Sequence, residues 1–189
     1  MDATAKGDPC IFLDRDGVIN RDRVNYAYRL PDFLILPRVP EALRRLKAAG
    51  YRLVIVTNQS GIAKGIYTRE QVQTCHDFMN MVTGHLVDEI YYAPYHPSVS
   101  ESLTRKPDSL MFERAMAKFN VDPARSWMVG DKERDLLPAQ KLGIPGILID
   151  ESHPETTAQT TVSSLWEAAE WLSKRAHVND AVGPIPTSS

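Results

Sequence analysis

The sequence predicts an α/β protein in three layers, a parallel sheet with helices on both faces and no large cap domain. Three observations predict it. Five short apolar runs alternate with helical patterns along the chain. Those runs are continuously apolar, as expected of strands covered on both faces. Strands alternating with helices imply βαβ units with right-handed crossovers.

In chain order, residues 1–9 are a polar N-terminal extension without a secretory apolar stretch. Strand 10–14 (CIFLD) follows. Helix 40–49 places Pro40 in its first turn and stops before Gly50. Val39, Leu43 and Leu46 share one stripe of it, and Arg44, Arg45 and Lys47 the other. After strand 52–57 (RLVIVT), Thr68-x-x-Gln71 has the form of a capping box and opens a helix to about His85. Strand 89–93 (EIYYA) precedes a helix opened by Asp108 or Ser109 and ending near Asn120. Strand 126–130 (SWMVG) leads to a short helix capped by Asp135, with Pro138 in its first turn, ending before Gly143. Strand 146–149 (GILI) precedes helix 163–175. There Leu165, Ala168, Ala169 and Leu172 mark the core side, and Trp166 and Trp171 read as packing residues. One domain thus spans 10–176, and the Pro/Gly/Ser-rich segment 177–189 reads as a frayed tail.

Composition narrows the function classes. With 189 residues and 43% apolar content the chain is long enough for one substantial core. A net charge of −2 leaves no general basic field for a nucleic-acid backbone. No apolar run approaches the roughly 18 residues of a membrane span. Cys10 and Cys75 read as free thiols in a reducing compartment. A cytoplasmic monomer without nucleic-acid or membrane partners is the expectation.

In open parallel sheets, ligands bind beyond the carboxyl ends of the strands. Four polar clusters fall there. Asp14-Arg15-Asp16-Gly17 follows the first strand. One of its carboxylates can attack phosphorus, and the other can protonate a leaving oxygen and then deprotonate a water. A plain Asp-Gly turn is the structural alternative. Thr57-Asn58-Gln59-Ser60-Gly61 follows the second strand and offers a hydroxyl and backbone N–H groups to phosphate oxygens, or simply a polar turn. Arg105-Lys106-Pro107 can bring positive charge to a phosphoryl group, or be solvated surface. Asp131, in Gly130-Asp131-Lys132-Glu133-Arg134-Asp135, can complete an oxygen-rich Mg²⁺ site with Asp14, whereas Asp135 fits a helix cap as well as a catalytic role. Order, strand-end placement and chemistry agree across the four.

These motifs, LDRDG, VTN, RKP and GDKERD, resemble those of the haloacid dehalogenase (HAD) superfamily, over roughly residues 11–149. The resemblance implies a Rossmann-like fold and a phosphatase. It implies Asp14 as nucleophile, Asp16 as general acid/base, and Thr57 and Lys106 as phosphoryl stabilisers. Mg²⁺ would be held by the Asp14 and Asp131 carboxylates and the Asp16 carbonyl. The intervals from Asp14 to Thr57 and from Thr57 to Lys106 each already contain a helix and a strand, which leaves no room for a full cap. Segment 17–37 is then expected to form a flap, with Asn20, Asp22, Arg23 and Asn25 as candidate substrate contacts.

FLDRDGVIN, VTNQSGIAKG, RKP and MVGDKERD are similar, more finely, to the D-glycero-D-manno-heptose 1,7-bisphosphate phosphatases, relatives of histidinol phosphatases. That resemblance implies Gln59, Ser60, Arg105 and Lys132 as substrate-binding residues. It also implies removal of the C7 phosphate in the synthesis of nucleotide-activated heptose for surface glycans. Many members carry a zinc loop here. Ala93, Tyr95, Ser102 and Thr104 stand at its four ligand positions, so no zinc is expected. His76, His85, His153 and His177 show no metal-like pairing. A sugar-phosphate-binding module without catalysis is the alternative from another class.

Overall fold

The computed structural model describes residues 7–150 and 155–181, with side chains as far as Arg175. A six-stranded sheet runs through it in the order β3-β2-β1-β4-β5-β6. The strands are β1 (Cys10–Leu13), β2 (Arg52–Asn58), β3 (Glu89–Ala93), β4 (Trp127–Gly130), β5 (Gly146–Ile149) and β6 (Thr160–Val162). Every pairing is parallel. The chain winds outward from β1 to β3, returns, and winds outward again from β4 to β6. The order therefore reverses between the neighbours β1 and β4, which opens a crevice at their carboxyl ends.

Five helices cover the sheet: α1 (Val39–Ala48), α2 (Arg69–Val82), α3 (Leu110–Phe119), α4 (Glu133–Lys141) and α5 (Leu165–Ala181). Alternation along β1 divides the core. Ile11 and Leu13 join Leu43, Leu46, Cys75, Met79, Leu165 and Leu172 on the face of α1, α2 and α5. Cys10 and Phe12 join Phe112, Ala115, Leu136 and Ala139 on the face of α3 and α4. The Phe12 and Phe112 rings lie 5.0 Å apart. Both faces are apolar because both are covered, which is why the strands read as continuous apolar runs.

The capping box at α2 forms as expected: Thr68 Oγ1 accepts from the Gln71 N–H, and Gln71 Oε1 accepts from the Thr68 N–H. Trp166 packs on the core edge with the Arg38 guanidinium 3.5 Å from its ring centre, and the Trp127 and Trp171 rings meet edge to face. Among the described residues no helix is long and apolar enough to cross a membrane.

The structure differs from expectation at three places. β6 is an additional edge strand; its three residues, two of them threonine, carry no apolar run to announce it. Helix α4 starts at Glu133, with Lys132 as its N-cap residue. Asp135 therefore caps from inside the first turn, its Oδ2 accepting the Lys132 N–H at 3.2 Å. Pro138 consequently sits within the helix rather than in its first turn. Helix α5 continues to Ala181, past the expected end at 175. Residues 182–189 and His153 lie outside the described residues.

Truncating Phe112 to Ala should destabilise the protein by about 3–5 kcal/mol, because the ring is fully buried and its space cannot collapse. Removing the exposed cap with Thr68→Ala should cost about 1 kcal/mol. Urea unfolding curves measure both, and comparable losses would contradict this division between core and cap.

Candidate active site

Adjacent strands bring the first and fourth clusters together. Leu13 is in register with Val129, and the Asp14 N–H donates to the Val129 carbonyl at 2.9 Å. Asp14 thus leaves β1 level with Gly130, and Asp131 follows one residue on. The loop after Asp14 crosses over Asp131 at Gly17, whose φ is +83° and whose added Cβ would lie 2.3 Å from Asp131 Oδ2. Only glycine allows both the left-handed backbone and that approach.

Lys106 lies under Asp14. Its Nζ is 2.8 Å from Asp14 Oδ1 and 2.8 Å from Asp135 Oδ1, at 1% side-chain exposure. Asn58 holds the lysine backbone from β2, donating through Nδ2 to the Lys106 carbonyl at 3.0 Å and accepting the Lys106 N–H at Oδ1 at 3.0 Å. Burial opposes the ammonium charge, but Asp135 and Asp14 outweigh it and raise the Lys106 pKa. Burial dominates at Asp14 and pushes its carboxyl up to about 7. Burial likewise lifts Asp131 to about 6, against the pull of Lys132.

Asp14, Asp131 and Asp135 offer oxygens that all lie within 4.8 Å of one another. Three carboxylates around one buried ammonium leave excess negative charge, and Asp131 Oδ1 is buried with no hydrogen-bond partner. Both observations fit a hard divalent cation. Asp14 and Asp131 are the residues free to hold it, since Asp135 is taken up by Lys106 and by the Lys132 N–H.

Asp16 sits in a different environment, partly open to solvent. Arg15 Nη2 donates to both its oxygens at 3.0 Å, Asn20 Nδ2 to Oδ1 at 2.9 Å and Gln59 Nε2 to Oδ2 at 3.0 Å. Burial pushes this carboxyl up, but Arg15 and the amide donors more than reverse it and hold Asp16 below its usual range.

Between these groups opens a cleft of about 230 Å³. Asp14, Asp16, Thr57, Asn58, Gln59, Ser60, Arg105 and Lys132 line it, as do Asp22 and Arg23 from the flap. Two of the expected substrate contacts, Asn20 and Asn25, do not line it. Asn20 is fully buried against Asp16, and Asn25 lines an adjoining depression that shares Asp22 and Arg23 with the cleft. Asn58 and Gln59 reach the cleft wall, but their amides are already bonded within the protein. Lys132 bridges Asp22 at 2.7 Å and Asp131 at 3.1 Å, tying flap to strand end.

Sequence reasoning passed over several lining residues: Arg15, Tyr26, Lys64, His96 and Arg134. Arg15, at 1% exposure, is the most consequential, and its place between two acidic residues was the only available signal. With these residues the cleft carries six Lys and Arg side chains against three carboxylates, and so favours an anion although the chain is net acidic.

Comparison with known proteins identifies the family. Residues 4–143 match the profile of the haloacid dehalogenase-like hydrolases. The chain belongs to the haloacid dehalogenase-like hydrolase family. Among similar HAD proteins, one from Haemophilus ducreyi is 38% identical over 162 residues, covering 81% of this chain and 88% of its own. One from Escherichia coli O6:H1 is 37% identical over 186 residues, covering 90% and 97%. Both are named D-glycero-beta-D-manno-heptose-1,7-bisphosphate 7-phosphatase. A crystal structure of D,D-heptose 1,7-bisphosphate phosphatase from B. bronchiseptica, complexed with magnesium and phosphate, superposes with a TM-score of 0.79 at 30% identity, covering 88% of this chain and 99% of that one.

The crowded carboxylates of this HAD site make a joint prediction about Mg²⁺ and pH. Asp14 and Asp131 bind protons more readily folded than unfolded, from about pH 4 up to about pH 6–7. Their contribution to the stability of metal-free protein is therefore greatest below about pH 4 and is lost as pH rises through 6–7. Mg²⁺ should reverse that loss, stabilising by about 2.7 kcal/mol at a hundredfold excess over its dissociation constant. Asp131→Asn should remove the Mg²⁺ response without lowering metal-free stability. Thermal melts from pH 4 to 8 measure this, and an unchanged Mg²⁺ response in the variant would place the metal elsewhere.

Proposed function

We propose that this protein is a Mg²⁺-dependent phosphomonoesterase that works through an aspartyl-phosphate on Asp14. The observation that carries the reading is the pairing of two carboxylates in opposite environments at one crevice. Asp14 lies against Lys106 and the acidic cluster, and Asp16 lies under converging donors at the mouth.

Bound to Asp14 and Asp131, Mg²⁺ would supply Lewis-acid stabilisation of charge on the phosphoryl oxygens. The protein's groups account for the rest. Lys106 works against the burial that raises the proton affinity of Asp14, and it offsets repulsion between that carboxylate and an incoming phosphate. Thr57 is available to the non-bridging oxygens. An Asp14 oxygen bonds to phosphorus while the ester oxygen leaves with a proton from Asp16. A water then attacks phosphorus, returns a proton to Asp16 and frees Asp14 as phosphate departs. The donors around Asp16 favour its ionised form, which suits the second step. A phosphate arriving beside it raises its proton affinity and suits it to the first.

The substrate we propose is D-glycero-D-manno-heptose 1,7-bisphosphate, hydrolysed at C7. The support is the naming of relatives at 37–38% identity and a cationic cleft of sugar-phosphate size without a cap domain. Asp22, Arg23, Ser60, Arg105 and Lys132 are the proposed substrate contacts on its wall. The same reading takes the 94–104 loop as zinc-free. Ser102 and Thr104 pair through their hydroxyls at 2.8 Å, and Arg105 Nη1 donates to the Tyr95 carbonyl at 3.2 Å. It also takes the protein as a monomer.

Phosphate release from both anomers of the heptose bisphosphate, with histidinol phosphate and an aryl phosphate alongside, tests the substrate. Marked preference for one heptose anomer is expected, and faster turnover of histidinol phosphate would assign another one. Asp14→Asn should lower kcat by about a thousandfold or more. Undiminished turnover in that variant would end the mechanism.

A further inference from the structure

Asp16 must lie in reach of a leaving oxygen and keep that aim through two proton transfers. Gln59 holds one of its oxygens, and Gln59 is itself held. The chain of contacts begins at Tyr67, which is 5% exposed. The Tyr67 hydroxyl oxygen accepts the Gly61 N–H at 3.3 Å and donates its proton to Gln59 Oε1 at 2.9 Å. That donation settles which end of the amide is oxygen. Gln59 must then direct its NH₂ at the site, where the two protons go to Asp16 Oδ2 at 3.0 Å and to Thr57 Oγ1 at 3.1 Å.

We propose that Tyr67 and Gln59 are positioning residues for the phosphoryl-transfer site, a relay that aims the Asp16 carboxylate and the Thr57 hydroxyl together. This rests on the phosphatase reading above and adds residues that act through others. Because Thr57 Oγ1 accepts from Gln59, its own proton remains to be donated to a phosphoryl oxygen. One amide therefore orients both a proton-transfer group and an anion donor. Were the amide turned over, its oxygen would face the Asp16 carboxylate and the aim of both groups would be lost.

Three features keep the relay in this state. Burial pushes the Tyr67 hydroxyl up to about 12, so it stays a donor across any working pH. Gly61 makes room for the ring: an added Cβ would lie 2.1 Å from Tyr67 Cε1. Two tyrosines of the flap then fix the ring, Tyr28 stacked at 5.1 Å and Tyr26 edge-on at 5.5 Å. Tyr26 lines the cleft with its backbone at φ 62°, a conformation uncommon for a bulky residue. The flap is therefore joined to Asp16 through Tyr67 and Gln59, besides its separate tie through Asp22 and Lys132.

Tyr67→Phe tests this, since it removes the hydroxyl and keeps the stacked ring. The first readout needs no turnover. In side-chain amide NMR of the Mg²⁺-loaded protein, the two Gln59 NH₂ protons should be well separated and protected from exchange. In Tyr67→Phe they should move together and exchange like solvent-exposed amides. The second readout is the nature of the ester. Alkyl phosphates need a protonated leaving oxygen and p-nitrophenyl phosphate scarcely does. The ratio of alkyl to aryl kcat should therefore fall about tenfold or more, with KM changed less than about twofold. Adding Tyr67→Phe to Gln59→Leu should do no further harm, because the hydroxyl acts only through the amide. Unchanged Gln59 resonances, equal losses on both ester classes, or additive losses in the double variant would each overturn the relay. If the wild type hydrolysed neither ester the phosphatase reading would fail, and the amide resonances would still decide the relay.

Discussion

The site depends on one costly arrangement, a lysine ammonium buried among carboxylates at the carboxyl edge of the sheet. Lys106 has almost no access to water, and it stays charged because Asp14 and Asp135 each approach to 2.8 Å. Such a cluster is expensive to desolvate and is weak evidence for stability on its own. Much of the surrounding architecture can be understood as holding it. The β1–β4 register places Asp14 beside Asp131, Asn58 grips the lysine backbone from β2, and α4 begins where Asp135 can bond both Lys106 and the Lys132 N–H. Gly130 is part of this arrangement, since an added Cβ would lie 2.6 Å from Asp135 Cβ. The cluster stays negative after the lysine is counted, and that imbalance makes it a cation site rather than a closed ion pair.

Asp14 and Asp16 are two residues apart in sequence yet differ in chemistry because they sit in different surroundings. Asp14 is enclosed, and burial lifts its proton affinity further than Lys106, already in contact, can lower it. Asp16 faces the cleft and accepts from Arg15, Asn20 and Gln59, which favour its charged form against the effect of burial. In the proposed mechanism the enclosed carboxylate attacks phosphorus, and the open one exchanges its proton with a leaving group or water. Arg15 makes the separation possible. Its side chain leaves the strand end away from Asp14, stacks near Phe33 at 5.2 Å, and meets a buried neutral His76 at 3.3 Å. Burial and Arg15 both hold His76 to about 3, so the imidazole can accept there without adding a second positive charge.

The parts of this structure that were legible in sequence are those carried by local pattern. Each of β1 to β5 is a run of apolar residues between turn signals, and α2 announces itself by Thr68 and Gln71. β6 was not legible because an edge strand of three residues, two of them threonine, needs no apolar run. The start of α4 was misjudged because Asp135 can cap from either side of a helix origin, and the Lys132 N–H that it accepts shows which it does. At the site, Asp14, Asp16, Thr57, Lys106 and Asp131 come together in the fold, because strand-end placement brings them into one crevice. Asn20 and Asn25 were placed by loop polarity alone. Polarity cannot tell a residue facing substrate from one supporting a carboxylate from below. Arg15, Tyr26 and Tyr67 were missed because no local pattern announces their packing, Arg15 against Phe33 and His76 and Tyr67 against Tyr26 and Tyr28.

Two of the ties between flap and crevice differ in kind, one ionic and one aromatic. Lys132 joins Asp22 to Asp131 on the metal side, and the Tyr26–Tyr67 contact reaches Asp16 on the proton-transfer side. These ties differ physically. The Lys132–Asp22 pair is half-exposed, so it is screened by salt and readily broken by an incoming anion. The tyrosine packing is largely indifferent to salt and holds the ring whether or not the cleft is filled. On the proposed reading, an anionic substrate competing for Lys132 would loosen the ionic tie while the aromatic one kept Asp16 aimed. A sugar phosphate bound as proposed would thus disturb one side of the flap and leave the other ordered for chemistry.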